Sequence, residues 1–376
     1  MPGLNSIAER TCYCARKNNP HRILDGIVSR VGALLLNVEC CIHPGHLPLR
    51  SDFFYSSRKP RPISERQDPA HASLPEGIEL VQRTDVEFEV DGNVKLRGWL
   101  YVLPGAGRRP AITMAHGYAG VKEHGLDPFA QAFAEAGFVV LLHDHRGFGA
   151  SEGTPRHDID PWRQIADWRR AISYLETLEV VDPQRIGLWG TSYAGGHAIV
   201  LGATERRLRC VVSQVPTISG YEQGLRRIAP ENVGAIEEAF SDDERAQQRG
   251  EPPRRQAIVS ADPGIAASYR AKDAIDFYLQ PLPEGAWQND VTVRSTRAAR
   301  MYEPGHWIAR VSPTPLLMVV ATRDTITLTD LELAAYERAL QPKRLVTIEG
   351  GHFDPYLSMF KQSSEAAVEW FKLHLG

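Results

Sequence analysis

Residues 187–196 read GLWGTSYAGG, and this stretch constrains the fold more than any other in the chain. Ile186, Leu188 and Trp189 form a short apolar strand that runs into Gly190. Ser192 follows among small residues, and a helix-like run opens at His197-Ala-Ile-Val-Leu. A strand that turns this abruptly into a helix forces strained backbone angles on the residue at the apex, and only small neighbours tolerate the turn. The apex side chain then stands clear of the sheet. A serine in that place is set to attack a carbonyl.

The rest of the chain repeats the alternation of strand and helix. Residues 84–90 and 94–102 alternate apolar and polar around Asp91-Gly92-Asn93, the pattern of a hairpin. Residues 111–115 and 138–143 are short buried strands, and between them lies a helix over 127–136, with Asp127 as its cap and Pro128 at its first position. Asp160 caps a long helix whose apolar face includes Ile165, Trp168, Ile172 and Leu175. Further strands fall at 208–213, 316–320 and 344–348, with helices at 330–340 (Asp330 at its cap) and from Pro355 to the end. This spacing predicts an α/β fold, a mostly parallel sheet with helices on both faces. Between 221 and 312 no buried strand is evident, and the segment is polar, charged and helix-like in pieces. It reads as a helical cap over the carboxyl edge of the sheet, where ligands sit in open α/β sheets. The expected division is an N-terminal helix and arm over 1–77, a core over 78–220 and 313–376, and a cap over 221–312.

Charge excludes some functions. With 43 Lys and Arg against 46 Asp and Glu, the net charge is −3, and no basic stripe points to nucleic acid. The 13 histidines do not fall at metal-ligand spacing, and neither HExxH nor CxxC occurs, so neither a metal nor a cofactor is expected. Four of the five cysteines, Cys12, Cys14, Cys40 and Cys41, lie near the start and leave Cys210 alone in the body. An odd count without a framework suits a reducing compartment, and no secretory signal opens the chain, so an intracellular, cytoplasmic protein is expected. Residues 23–42 are the most apolar early segment, but Asp25, Arg30 and Glu39 argue against a membrane span. Their helical spacing suits packing on the body or on a second subunit, which leaves a homodimer through this helix or the cap as one reading.

A serine hydroxyl needs a base, and the base needs a partner that fixes its tautomer. Asp324 follows the strand ending at Val320, and His352, in Glu349-Gly-Gly-His-Phe, follows the strand ending at Ile348. Both belong on the sheet edge that carries Ser192. A developing oxyanion needs backbone donors. One is the N–H of Tyr193. The other comes from Ala115-His-Gly-Tyr-Ala-Gly, at Tyr118, with Ala119 as the alternative. His116 reads as structural, and Asp144 and Arg146 as loop braces. Trp162, Tyr221 and His306 are candidates for the substrate pocket, alongside His197 and Trp307.

HGYAG, DHRGFGASEG, GTSYAGG, Asp324 and GGHFDPY occur in the order found in the α/β-hydrolase superfamily, which the chain resembles from about Val81 to its end. HGYAGVKEHGLDPFA, DIDPW, GTSYAGGH and CVVSQVP are similar to a branch that includes fungal polyketide transferases and thiohydrolases and borders on dienelactone-hydrolase and X-Pro-dipeptidyl-peptidase-like proteins. The resemblance implies Ser192 as nucleophile, Asp324 as acid, His352 as base, and the amides of Tyr118 and Tyr193 as the oxyanion hole. It departs at Ala194, where the usual G-x-S-x-G has glycine, and that branch tolerates small residues there. Residues 1–75 carry no resemblance.

The expected activity is therefore a serine hydrolase of an ester or thioester, with a small-molecule acyl substrate such as a polyketide or other secondary metabolite. Carbon–carbon bond hydrolysis and acyl transfer use the same residues and stay open. A peptidase is disfavoured because no acidic pair is evident for a substrate amine. From another class, a non-catalytic ligand-binding protein on the same fold would be expected to have lost a member of the triad.

Overall fold

The computed structural model describes residues 80–376, so the early cysteines, the 23–42 segment and the 43–77 arm lie outside the described residues. Gln82–Val90 (β1) and Val94–Val102 (β2) form the expected hairpin, with Gln82 opposite Val102. Arg109–Ala115 (β3), Asp127–Glu135 (α1), Val139–His143 (β4), Pro161–Thr177 (α2), Val181–Thr191 (β5), Tyr193–Thr204 (α3) and Leu208–Gln214 (β6) follow. The chain then leaves the sheet. It returns as Leu316–Ala321 (β10), Thr329–Arg338 (α8), Lys343–Ile348 (β11) and Phe360–Leu375 (α9).

The excursion holds Gly220–Arg227 (α4), Val233–Gln248 (α5), Arg255–Val259 (β7), Ala267–Tyr269 (β8), Lys272–Tyr278 (α6), Val291–Thr292 (β9) and Val293–Arg300 (α7). It is not purely helical as expected, because β8, β7 and β9 pair into a small three-stranded sheet. Only the last two residues of β7 are buried, so the strand offered no apolar run to read.

The main sheet has eight strands in the order β1-β2-β4-β3-β5-β6-β10-β11. From β4 to β11 every neighbouring pair is parallel, and β2 alone runs against them. Every residue of β4 and β10 is buried, which is why these strands read as continuous apolar runs rather than alternating ones. Helices α1 and α9 cover one face, and α2, α3 and α8 the other. On the first face Phe133 meets Phe371 edge-on at 5.4 Å, and Phe129 lies 4.8 Å from Trp189. Burying each such ring stabilises the fold by roughly 1.5–3 kcal/mol. On the other face the Trp168 indole N–H donates to the Thr113 hydroxyl at 2.9 Å, so α2 is pinned to β3.

Helix ends explain most boundary shifts. The Asp160 carboxylate accepts the amides of Trp162 and Arg163 at 3.0 and 3.1 Å, with Pro161 at the first position, as expected. Asp127 is not the cap of α1, which is Leu126. Asp127 instead accepts from Tyr101 Oη at 2.6 Å and Arg83 at 3.0 Å, tying the hairpin to the helix. Asp330 likewise does not cap α8 but pairs with Arg226 at 2.8 Å. The terminal helix starts at Phe360 rather than Pro355, after a separate short turn over Asp354–Tyr356. Among the described residues no helix is long and apolar enough to cross a membrane.

In this topology the chain steps one way from β3 to β4 and the other way to β5. The crevice at the carboxyl ends of β3 and β5 is therefore the switch point where open α/β sheets bind ligands.

Candidate active site

Ser192 sits at that switch point with φ 57° and ψ −121°. A non-glycine residue in such a conformation persists only when its surroundings over-determine it. Here the Ser192 N–H donates to Gln214 O at 2.8 Å, and its carbonyl accepts from Thr217 at 3.0 Å and Gly196 at 3.3 Å. The turn needs Gly190 and Gly195: a Cβ at Gly190 would collide with Ala194 O, and one at Gly195 would lie 2.9 Å from both Gln214 O and Pro216 Cα. Ala194 is fully buried, so its methyl is accommodated within the turn.

Asp324 and His352 lie on the loops after β10 and β11 and reach the same point. His352 Nε2 is 2.9 Å from Ser192 Oγ, and its Nδ1 is 2.7 Å from Asp324 Oδ2. His352 is 2% exposed and Asp324 5%, so the chain of contacts is shielded from water. The Ile326 and Thr327 amides donate to Asp324 Oδ1 at 2.7 and 2.8 Å. Burial works against ionisation of Asp324, but the adjacent His352 and the Thr327 donors outweigh it and hold the carboxyl below its usual value. Asp324 therefore stays charged, and its contact with Nδ1 leaves Nε2 free to accept the Ser192 proton.

Two residues behind Asp324 carried no sequence signal. Thr327 Oγ1 lies 2.7 Å from Asp324 Oδ2, 3.1 Å from His352 Nδ1 and 3.0 Å from Glu332 Oε1. Glu332, on α8, is fully buried, and among the described residues its Oε2 has no partner. Burial and then the charge of Asp324 push its carboxyl well above the usual range. The Thr327 hydroxyl thus bridges the Asp324 and Glu332 carboxyl groups.

The loop after β3 closes the site from the other side. A Cβ at Gly117 would lie 2.9 Å from Ser192 Cβ, so only glycine lets this loop pass so near. His116 Nε2 accepts the His145 N–H at 3.0 Å, which leaves the proton on Nδ1 to donate to Gly117 O at 3.0 Å. Burial lowers the His116 pKa to about 4, so the ring is a neutral brace, as expected. With the Gly117 carbonyl held, the trans peptide points the Tyr118 N–H the opposite way. The excursion holds the next two carbonyls: Tyr278 Oη donates to Tyr118 O at 2.6 Å, and Trp287 Nε1 to Ala119 O at 2.8 Å. Tyr193 opens α3, where backbone N–H groups have no partner within the helix. Asp144 accepts from the Lys122 amide at 2.8 Å and ammonium at 2.6 Å, and Arg146 grips Asp167 at 2.7 Å, so both do brace loops.

Ser192, Tyr193, Tyr118, Thr217, Ile326 and Thr327 open into a cavity of about 680 Å³ whose other walls come from the excursion. Trp162, Tyr221 and His306 do not line it, which corrects the pocket expected from sequence. Trp162 is 54% exposed at the start of α2, and Tyr221 and His306 face a separate surface cleft beside Met301 and Arg338. Aromatic and imidazole chemistry marked them in the sequence, but the direction each takes was set by helix phase. His197 is also elsewhere, buried between Tyr302 Oη at 2.8 Å and Gln164 at 3.0 Å. The cavity is lined by five arginines, Arg227, Arg254, Arg255, Arg270 and Arg300, and among the described residues by no carboxylate.

Comparison with known proteins agrees with this architecture. Residues 91–354 match the family model described as X-Pro dipeptidyl-peptidase (S15 family). The chain is 32% identical over 276 residues to the quorum-quenching protein AidA of Acinetobacter baumannii, covering 73% of this chain and 88% of that protein. It is 29% identical to a thiohydrolase of Eupenicillium brefeldianum, covering 74% and 90%. The solved α/β hydrolase GrgF from Penicillium superposes with a TM-score of 0.69 at 27% identity, covering 78% of this chain and 99% of that one. By sequence and by fold, the chain belongs to the X-Pro dipeptidyl-peptidase (S15) family within the α/β-hydrolase superfamily and is a hydrolytic enzyme.

Proposed function

We propose that the protein is a serine hydrolase of an ester or thioester, working through an acyl-enzyme on Ser192. The observation that carries the reading is the unbroken run from Ser192 Oγ through His352 to Asp324, at 2.9 and 2.7 Å. His352 Nε2 takes the Ser192 proton as Oγ attacks the substrate carbonyl. The negative oxygen that forms is received by the Tyr118 and Tyr193 amides. The intermediate collapses, and His352 passes its proton to the departing alcohol or thiol. Water, deprotonated by the same imidazole, then releases the acid. An alcohol in place of that water gives acyl transfer, a second reading favoured by relatives named polyketide transferase and acyltransferase. A peptidase acting on a free N-terminus needs a negative group for the substrate ammonium, and the arginine-lined cavity argues against it.

Residues 221–312 act in this reading as a cap that selects the acyl group. An intracellular setting and a homodimer through the N-terminal segment or cap complete the proposal. A fluorophosphonate probe tests the chemistry: the protein labels and Ser192→Ala does not. A panel of p-nitrophenyl esters of rising chain length, with acyl thioesters alongside, reads the substrate. Absence of labelling at Ser192 together with no turnover of any member would overturn the proposal.

A further inference from the structure

The charge of the cavity wall is one-sided, and its compensation is uneven. Three of the five arginines face carboxylates from outside the cavity lining. Arg254 is 3.8 Å from Asp243, Arg255 2.8 Å from Asp290, and Arg300 2.9 Å from Glu237. Arg227 and Arg270 differ. Among the described residues neither has a carboxylate within 4.0 Å. Each is held by backbone carbonyls, Arg227 by Ile326 O, and Arg270 by Asp262 O at 2.7 Å and Ile265 O at 2.6 Å. A carbonyl satisfies the geometry of a guanidinium donor but does not cancel its charge.

Their placement ties them to the chemistry. Arg227 ends α4, and its guanidinium carbon lies 5.1 Å from the centre of the Tyr269 ring. The Ile326 whose carbonyl it holds also donates its amide to Asp324, so Arg227 abuts the loop of the catalytic acid. Tyr269 in turn meets Tyr118 edge-on at 5.8 Å, and Arg270 is the next residue along. Two uncancelled positive charges thus belong to the same concave wall as Ser192. In a cleft of one sign with low-dielectric walls, the field is focused and draws the opposite charge. A guanidinium fork also matches the two oxygens of a carboxylate or the oxygens of a phosphate.

We infer that Arg227 and Arg270 form an anion subsite, and that the ester or thioester hydrolysed at Ser192 carries a carboxylate or phosphate away from the scissile carbonyl. This rests on the serine hydrolase reading above. Both residues are solvent-exposed, and an anionic chain would give each guanidinium the counter-charge that the protein does not supply. The anion has two chemical sources, the far end of the acyl group or the thiol portion of a thioester.

Two substrate pairs that differ at the anionic group separate the sources. The first pair is the mono-p-nitrophenyl ester of suberic acid and its methyl p-nitrophenyl diester. The second is octanoyl-phosphopantetheine and octanoyl-pantetheine. The expected result is a kcat/KM at least about tenfold higher for the anionic member of one pair, in line with a charge-assisted contact. The pair that responds identifies the source. The preference shrinks with added salt, collapses in Arg227→Gln and Arg270→Gln, and is partly kept in Arg227→Lys. Reading a ratio within each variant separates lost recognition from lost folding. Turnover of both members of each pair without preference overturns the subsite and leaves the hydrolase reading standing. No turnover of any member, with no fluorophosphonate labelling of Ser192, overturns both.

Discussion

The loops at the carboxyl ends of the core strands and the excursion over residues 220–310 build one cavity by different means. In the core loops the groups closest to the chemistry are held by named partners: Asp324 by four contacts, Gly117 by His116, Ser192 by Gln214 and Thr217. The excursion supplies the charged wall, with side chains that are partly exposed and only in part compensated. Chemistry needs donors and acceptors fixed before the substrate arrives, because reorganising them costs rate. Selection needs groups that the substrate completes. The contrast fits the proposed division of labour, core loops for the reaction and excursion for the choice of acyl group.

The strongest way to break this division is Ser192→Ala. If the core alone carries the chemistry, kcat falls by about 10⁵-fold. A variant that still hydrolysed p-nitrophenyl esters at a tenth of the rate would place the reaction elsewhere. Asp324→Asn keeps the shape of the site but loses the charge that sets the His352 tautomer, so kcat should fall by about 10⁴-fold with KM little changed. Tyr278→Phe probes the seam between the regions. It removes the 2.6 Å donor to Tyr118 O and should lower kcat by about tenfold, at a cost of about 1 kcal/mol in stability. Unchanged kcat there would mean that the excursion does not help to set the oxyanion donor.

Acid–base titration sharpens the comparison within the core. Glu332 has its folded value raised above the ordinary 4.5. The unfolded chain therefore loses this proton first as pH rises, and the penalty on folding grows through that window, by at most about 1.4 kcal/mol per pH unit. Asp324 has the opposite sign: its folded value lies below 3.8, so its contribution holds above that value and is lost as the medium becomes more acid. Glu332→Gln keeps a polar contact with Thr327 and removes the titration. Its melting temperature should gain on that of the unsubstituted protein as pH rises above about 4.5. Parallel melting curves across that range would show that Glu332 is ionised in the fold. The smallest effect belongs to His306→Ala, whose side chain faces outside the cavity. Here kcat/KM should stay within about twofold, and a larger loss would bring the separate cleft into the site.

The same division governs what the sequence disclosed. Strands whose two faces are covered, such as β4 and β10, are apolar throughout and read directly. Asp324 and His352 were legible because parallel strands deliver their loops to one edge, so chain order alone predicts proximity to Ser192. Thr327 and Glu332 were not legible, because a hydroxyl or carboxyl on a loop or helix looks like a solvated residue until packing buries it. The excursion hid most. Its small sheet is short and half-exposed, and Tyr221 and His306 face outward through helix phase that composition does not encode. Tyr278 and Trp287, whose hydrogen bonds reach the oxyanion loop, sit more than 150 positions along the chain from the residues they hold.

Those two hydrogen bonds limit how freely the enzyme can be re-engineered. A designer who wished to exchange the excursion for another, to change the acyl group accepted, would also remove the donors that hold the Tyr118 and Ala119 carbonyls. A chimaera with an intact Ser192, His352 and Asp324 would then have a new wall and a loosened peptide at the reacting carbonyl. A working graft has to supply a phenol and an indole, or their equivalents, at the same two points. In the proposed reading, substrate choice and transition-state support are separable in outline but share a hinge pin.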